Sequence, residues 1–117
     1  MNNYNVKIDG DILRMDGNEI EFPNTIGEIL EYENLAVLRL KLTGESFQDI
    51  SQNVYGVTPD GSIYWKIDKC PDITGGGYHA YSGLYNHGGE LWVTNYNGMK
   101  YKVSKEDGSI MDKKISK

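Results

Sequence analysis

The sequence has few of the residues that mark secreted, disulfide-linked or membrane-spanning proteins. Its 117 residues include one cysteine, Cys70, and three prolines. One cysteine cannot form an internal disulfide, and no apolar run approaches the roughly 20 residues that a membrane-spanning helix needs. The first residues lack the basic and apolar regions of a signal peptide. We therefore expect a cytoplasmic protein with a single domain over residues 1–117.

Basic residues are also scarce. The chain has 12 basic and 17 acidic side chains and a formal net charge of −5, which disfavours binding to long nucleic acids. Residues 1–52 carry ten acidic and four basic side chains, whereas residues 99–117 carry six lysines and three acidic side chains. Either the two ends of the fold complement each other, or the lysine-rich end meets an anion or steers self-association.

Motifs of catalysis and of metal binding are missing as well. His79, His87, Cys70 and Asp72 are the candidate metal ligands, but the sequence has no Cys-x-x-Cys or His-x-x-x-His spacing. Most carboxylates lie in predicted turns, where turn formation explains them. No nucleophile and base can be recognised as a pair. We therefore expect no enzyme activity, no cofactor and no metal.

Glycine and tyrosine are abundant, with 14 and 9 residues. Tyrosine favours strands and glycine favours tight turns. The clearest unit is residues 53–67, where Pro59-Asp60-Gly61 separates two alternating apolar runs and predicts a β-hairpin. Similar Asp-Gly or Asn-Gly turns recur at 9–10, 16–17, 97–98 and 107–108. The pattern predicts an all-β antiparallel meander of about ten short strands, arranged as one strongly twisted sheet or two packed blade-like sheets.

Residues 25–32 are ambiguous. Thr25 and Glu28 have the spacing of a capping box, and the apolar residues after Thr25 have helical spacing. Gly27 and the strand-like run that follows favour a strand. We predict a strand, with a helix as the alternative.

Aromatic residues concentrate between residues 55 and 101, which contain both tryptophans and seven of the nine tyrosines. Trp65 is predicted to lie in the core. Alternation along the strands predicts that Tyr81, Tyr85, Trp92 and Tyr96 form an exposed face beside lysines. Aromatic rings stack on bases and lysines neutralise phosphates, so this face suits a nucleotide. It equally suits a subunit interface, and a second packed sheet could also bury it.

The irregular segment 68–77 contains three consecutive glycines and is a candidate functional loop. Backbone amides of such a loop can approach a phosphate, but no P-loop or dinucleotide-binding spacing is present, and a hinge is the alternative. The predicted ligand-binding residues are Lys66, Gly75, Gly76, Gly77, His79, Tyr81, Tyr85, Trp92, Tyr96, Lys100 and Lys102.

Two resemblances extend this interpretation. Residues 91–110, with a strand, an Asn-Gly turn, a strand and an Asp-Gly turn, resemble a blade of a quinoprotein-type β-propeller, as do residues 53–67. The length allows two or three blade-like sheets, too few for a closed propeller. Glu19-Ile-Glu-Phe-Pro23 and residues 53–65 resemble short uncharacterised bacterial and phage proteins. That resemblance implies a small all-β protein and no catalytic residue.

Two functions fit these observations. The first is a non-enzymatic, homo-oligomeric binding protein that sequesters a small anionic, nucleotide-like ligand. Phage anti-defence sponges, similar in size and context, are an example. The second is an immunity or inhibitor module whose acidic N-terminal half, including Glu28, Glu31 and Glu33, docks a basic partner protein.

Overall fold

The chain folds into short antiparallel strands that follow one another in three sheets. The computed structural model describes residues 4–41, 52–70, 80–96 and 98–115. Within these ranges all regular structure is β-strand, in eleven strands. The predicted all-β antiparallel meander is therefore confirmed, with three sheets where the sequence suggested one or two. In the described part of the chain, no helix is long and apolar enough to cross a membrane.

The strands of each sheet are consecutive in the chain and pair with their sequence neighbours. The first sheet contains β1 (Val6–Asp9), β2 (Ile12–Met15) and β3 (Asn18–Glu21). The second contains β4 (Ile26–Tyr32), β5 (Leu35–Leu40), β6 (Val54–Thr58) and β7 (Ser62–Lys66). The third contains β8 (Tyr81–His87), β9 (Glu90–Asn95), β10 (Met99–Val103) and β11 (Ile110–Ile115). The ambiguous segment 25–32 thus forms a strand, as predicted.

The second sheet is the middle layer, because it packs against a neighbouring sheet on each face. Ala36 and Leu38 of β5 join one core with the first sheet, whereas Leu35 and Val37 join another with the third sheet. Burial on both faces explains why the first four residues of β5, 35–38, are all apolar. The first and third sheets each keep one face without a covering layer among the described residues.

Trp65 lies in the core between the second and third sheets, as predicted, and is 6% exposed. Its ring fits against two glycines: a Cβ built on Gly56 or Gly108 would lie 2.4 Å or 2.6 Å from it. Gly108 also has a φ of +77°, which other residues rarely adopt. The Trp65 Nε1–H donates a hydrogen bond to the Lys105 carbonyl at 2.8 Å. The sequence therefore keeps these positions small so that the indole can be buried.

Different polar groups attach each end sheet to the middle one. The Tyr4 hydroxyl, ahead of the first sheet, donates to the carbonyls of Tyr32 and Leu35 at 2.7 Å and 2.8 Å. Burial is the main reason that the pKa of Tyr4 is raised to about 12. On the other side, the fully buried Asn53 donates through Nδ2 to the carbonyls of Leu40 and Tyr81, each at 3.0 Å. Its Oδ1 accepts from the Tyr81 N–H at 2.8 Å.

Candidate binding face on the third sheet

The third sheet presents a face rich in aromatic and lysine side chains on the side away from the core. Tyr85 lies opposite Trp92, and Trp92 lies opposite Lys102. Lys100 lies opposite Lys114 on β11. Directly opposed residues in an antiparallel pair project to the same side of the sheet. We call this side the aromatic–lysine face; its residues are Tyr85, His87, Glu90, Trp92, Thr94, Lys100, Lys102, Asp112 and Lys114.

Trp92 is buried on this face although no sheet among the described residues covers it. Only 8% of its surface is exposed, so the exposure predicted for Trp92 is wrong. The Nζ atoms of Lys114 and Lys100 lie 4.8 Å and 6.0 Å from the ring centroid, and the His87 ring meets it edge-on at 6.5 Å. Lysine stems cover apolar surface while their ammonium groups stay in water, and ammonium groups are attracted to the face of an indole. Lysines therefore provide much of the cover over Trp92.

Lys100 and Lys114 form a pair of like charges without an acidic partner. Lys100 Nζ lies 5.0 Å from the Tyr85 ring centroid and within hydrogen-bond distance of His87 Nε2, at 2.5 Å. Among the described residues, no carboxylate lies within 4.0 Å of either ammonium group. Like charges directly opposite each other in a sheet are destabilising, so an anion bound between them would relieve their repulsion.

The third lysine of the face is already paired. Lys102 Nζ lies 2.7 Å from Glu90, whose other oxygen accepts from Trp92 Nε1 at 3.3 Å. The hydrogen bond from Lys102, followed by that from Trp92, holds the pKa of Glu90 below its usual value. Glu90 therefore stays ionised and repels anions at its own position. The anion-accepting part of the face is confined to Lys100 and Lys114.

The structure brings four predicted site residues together: Tyr85, Trp92, Lys100 and Lys102 share the aromatic–lysine face. Tyr96 follows β9 and is 53% exposed. Gly75, Gly76, Gly77 and His79 lie outside the described residues. The binding role of all these residues stays a prediction.

The outward position predicted for Tyr81 is wrong. Tyr81 lies opposite Asn95 and Gly83 lies opposite Thr94, so β8 contains one extra residue at Ser82. Such a bulge reverses the alternation on one side of it. Tyr81 consequently turns inward and is fully buried, with its hydroxyl donating to the Asp68 carbonyl at 2.7 Å. Burial raises the pKa of Tyr81 strongly.

The position predicted for Lys66 is also wrong. Lys66 ends β7 of the second sheet and lies opposite Tyr55. Its Nζ atom is 6.0 Å from the centroid of that ring. Alternation along one strand could not show which sheet β7 joins.

Sequence reasoning missed Lys114 and gave His87 no role in the binding face. Lys114 reaches Trp92 because the β10–β11 pairing sets it opposite Lys100, with a register shift between Lys102 and Val103. No turn signal in the sequence specifies that shift.

His87 was considered only as a metal ligand. Within the described ranges, no three His, Cys, Asp or Glu side chains are arranged to hold a metal ion. Cys70 is buried, with its sulfur 3.2 Å from the Tyr101 hydroxyl.

By its fold this chain is a small all-β protein with three stacked antiparallel sheets. The third sheet carries the aromatic–lysine face on its outer side. The chain belongs to the family DUF7957, described as a domain of unknown function, whose model matches residues 3–115. No curated protein matches it. Solved structures similar to it include the computationally designed Ika8 protein, with a TM-score of 0.61 and 11% identity over 97% of this chain. The match covers 33% of Ika8, so the chain spans about one third of that protein's length. This likeness concerns the fold alone.

Proposed function

We propose that this protein is a non-enzymatic binding protein that captures a small anionic, nucleotide-like ligand on its aromatic–lysine face. One observation carries the proposal: Lys100 and Lys114 oppose each other over Trp92, and no carboxylate of the described residues lies within 4.0 Å of either ammonium group. Positive charges held together over an aromatic ring match the two parts of a nucleotide. A phosphate binds the ammonium groups, and a base stacks on a ring.

The binding mode follows from the contacts in the free protein. The ammonium groups of Lys100 and Lys114 lie above the ring faces of Tyr85 and Trp92. A base that stacks on either ring has to displace an ammonium group. A phosphate attached to that base gives the displaced group a new partner. Ligands with both parts are therefore expected to bind better than an uncharged nucleoside or inorganic phosphate alone.

Capture of this kind is stoichiometric and leaves the ligand intact. Sequestration of a nucleotide immune signal, as by a phage anti-defence sponge, is the specific form of this function that we propose. The support for that form is the chemistry of the face together with the resemblance to small phage proteins. Because Glu90 is paired with Lys102 and repels anions, the ligand should place no negative charge near the Lys102 end of the face.

Calorimetry with a ligand panel tests the proposal. The panel contains cyclic and ADP-ribose-type nucleotides, an uncharged nucleoside and pyrophosphate. We expect at least one nucleotide to bind, about tenfold or more weaker binding by Lys114→Met, and unchanged binding by the control Lys7→Met. Methionine retains much of the apolar cover of the lysine stem while removing its charge.

Three outcomes would contradict this function. They are the absence of binding across the panel, an equal loss of affinity in the Lys7→Met control, and recovery of a chemically altered ligand after denaturation. The last result would indicate an enzyme.

A second candidate function rests on the acidic surface of the first two sheets. Glu31 and Glu33 are exposed, and Glu28 forms an ion pair with Arg39 at 2.6 Å. Exposed carboxylates suit docking to a basic partner protein. Glu31→Lys with Glu33→Lys should abolish binding to such a partner and leave nucleotide binding unchanged. Loss of nucleotide affinity in this double variant would argue against separate surfaces.

A further inference from the structure

We propose that copies of this chain associate head to tail, with the aromatic–lysine face of one copy on the outer face of the first sheet of the next. The two surfaces lie on opposite end sheets of the same chain. Association of this kind is heterologous, so it continues into a ring or an open chain of copies.

The outer face of the first sheet is defined by the same register argument. Lys7 opposes Arg14, which opposes Glu19, and Ile12 opposes Asp9 and Glu21. Leu13 and Met15 on the alternating positions are buried against the second sheet. We call the outward side the acidic face; its residues are Lys7, Asp9, Ile12, Arg14, Glu19 and Glu21.

The acidic face carries more negative than positive charge, which complements the lysines of the aromatic–lysine face. Its six residues include three acidic side chains, Asp9, Glu19 and Glu21, and two basic ones, Lys7 and Arg14, which gives a net charge of −1. Arg14 is occupied by Glu19 at 2.5 Å and by Asp9 at 3.8 Å. Glu21 is exposed and has no cation within 4.0 Å among the described residues. Within the part of the chain that the structure describes, Glu21 therefore has no cation within 4.0 Å, and Lys100 and Lys114 have no carboxylate within that distance.

Face-to-face packing of sheets is already the way this chain buries its strands. The second sheet has one neighbour on each side, and each contact joins consecutive sheets. A second copy would extend this order, with its first sheet following the third sheet of its neighbour. Charge complementarity then selects this arrangement over contact between two aromatic–lysine faces, which would bring like charges together.

The small area of the first sheet limits the strength of this contact. Three strands of four residues, with a spacing of about 4.8 Å and a rise of about 3.3 Å per residue, cover roughly 14 Å by 13 Å. Two such faces bury less than about 1,000 Å², which is typical of transient interfaces. The association is therefore weak, concentration-dependent and sensitive to salt. It also competes with an anionic ligand, since both use Lys100 and Lys114.

Two charge-reversal variants test the head-to-tail geometry. Glu21→Lys alters only the acidic face, and Lys114→Glu alters only the aromatic–lysine face. In sedimentation at low salt over about 10–500 µM, a range suited to a weak interface, the wild type should show a mass that rises with concentration. Each variant alone should associate at least tenfold more weakly. An equimolar mixture should associate more strongly than either variant alone, because each variant retains the face that its partner lacks.

Each result has a definite meaning. A wild type that stays monomeric over this range overturns the proposal, as does a Glu21→Lys protein that associates as the wild type does. Circular dichroism of each variant confirms that it is folded before its mass is interpreted. Nucleotide binding by dilute Glu21→Lys distinguishes the two proposals, because that variant leaves every residue of the ligand face intact. Nucleotide binding together with a wild type that stays monomeric would therefore overturn this inference and leave the proposed function standing.

Discussion

The first and third sheets occupy equivalent positions at the two ends of the stack but differ in attachment and in surface. The first is held by a tyrosine hydroxyl and exposes charges, several of them paired across strands. The third is held by the buried Asn53 and carries on its outer side a tryptophan that lysines cover. A solvated sheet face needs only alternating polar residues. The aromatic residues on the outer face of the third sheet are not required for solvation. They make this face the candidate for binding.

The largest expected effect concerns attachment of the third sheet. Asn53→Ala removes three buried hydrogen bonds and leaves the Tyr81 N–H and two carbonyls without these partners. We expect the free energy of unfolding to fall by roughly 3 kcal/mol or more, because each unsatisfied buried group costs about 1–3 kcal/mol. Urea denaturation measures the loss.

Asn18→Ala is the matched control for Asn53→Ala. Asn18 also links two sheets, through a 3.1 Å hydrogen bond to the Pro59 carbonyl, but this bond is exposed to water. Water can replace it, so we expect a change within about 0.5 kcal/mol. Equal losses in the two variants would show that burial does not distinguish the two attachments.

The next effect compares the outer faces directly. Trp92→Ala should lower the free energy of unfolding by about 2 kcal/mol, less than in a fixed core, because the flexible lysines can partly fill the space. Ile12→Ala, at a half-buried outward position of the first sheet, should cost less than about 1 kcal/mol. If Trp92→Ala proves as mild as Ile12→Ala, the lysines do not bury the indole in solution.

The sequence predicts the outward residues of the third sheet correctly where its strands are regular, and incorrectly where a bulge interrupts them. Turns with Asp-Gly or Asn-Gly and period-2 alternation predicted the strands and the inward position of Trp65. They also placed Trp92 and Lys102 on one side of regular strands, because no bulge interrupts the β9–β10 pairing. Tyr81 was misplaced because one extra residue at Ser82 reverses the alternation, and that residue carries no distinctive side chain.

Local sequence patterns could not predict contacts between residues on strands that are not adjacent in the chain. Lys114 meets Trp92 across two strand pairings, and the lysine pair exists only because β10 and β11 adopt one particular register. Lys66 was assigned beside the wrong aromatic residues for the same reason, since sheet membership is a tertiary property. The sequence therefore predicts the elements and part of the face, whereas the pairing of its charges requires the structure.

The stability that Tyr4 contributes by attaching the first sheet should depend on pH. Unfolded Tyr4 loses its proton near its ordinary pKa of 10.0, whereas folded Tyr4 retains it up to about pH 12. The stability that Tyr4 contributes is therefore complete below pH 10 and is lost as the pH rises towards 12. The stability advantage of wild type over Tyr4→Phe should be on the order of 1–2 kcal/mol near neutral pH. It should shrink over that alkaline range.

Thermal denaturation between neutral pH and pH 12 measures this difference. Burial also raises the pKa values of Tyr32, Tyr55 and Tyr81, so both proteins lose stability in alkali. The difference between the two proteins isolates Tyr4 because those tyrosines are common to both. A constant difference up to pH 12 would mean that the Tyr4 hydroxyl does not retain its proton in the folded state.

The smallest expected effect is local to the aromatic–lysine face and leaves the fold intact. Lys102→Met should return the lowered pKa of Glu90 towards its ordinary value, because the hydrogen bond from Lys102 is the main cause of that shift. The stability linked to Glu90 is present above its unfolded pKa and is lost as the pH falls through the folded one, so this acid dependence should weaken in the variant. Carboxyl NMR titration reads each group separately. Asp60 and Asp107, whose pKa values are lowered by hydrogen bonds within their own turns, should not change and serve as internal controls. An unchanged Glu90 in Lys102→Met would leave Lys102 free to join Lys100 and Lys114, and the anion-accepting part of the face would then extend along the whole of β10.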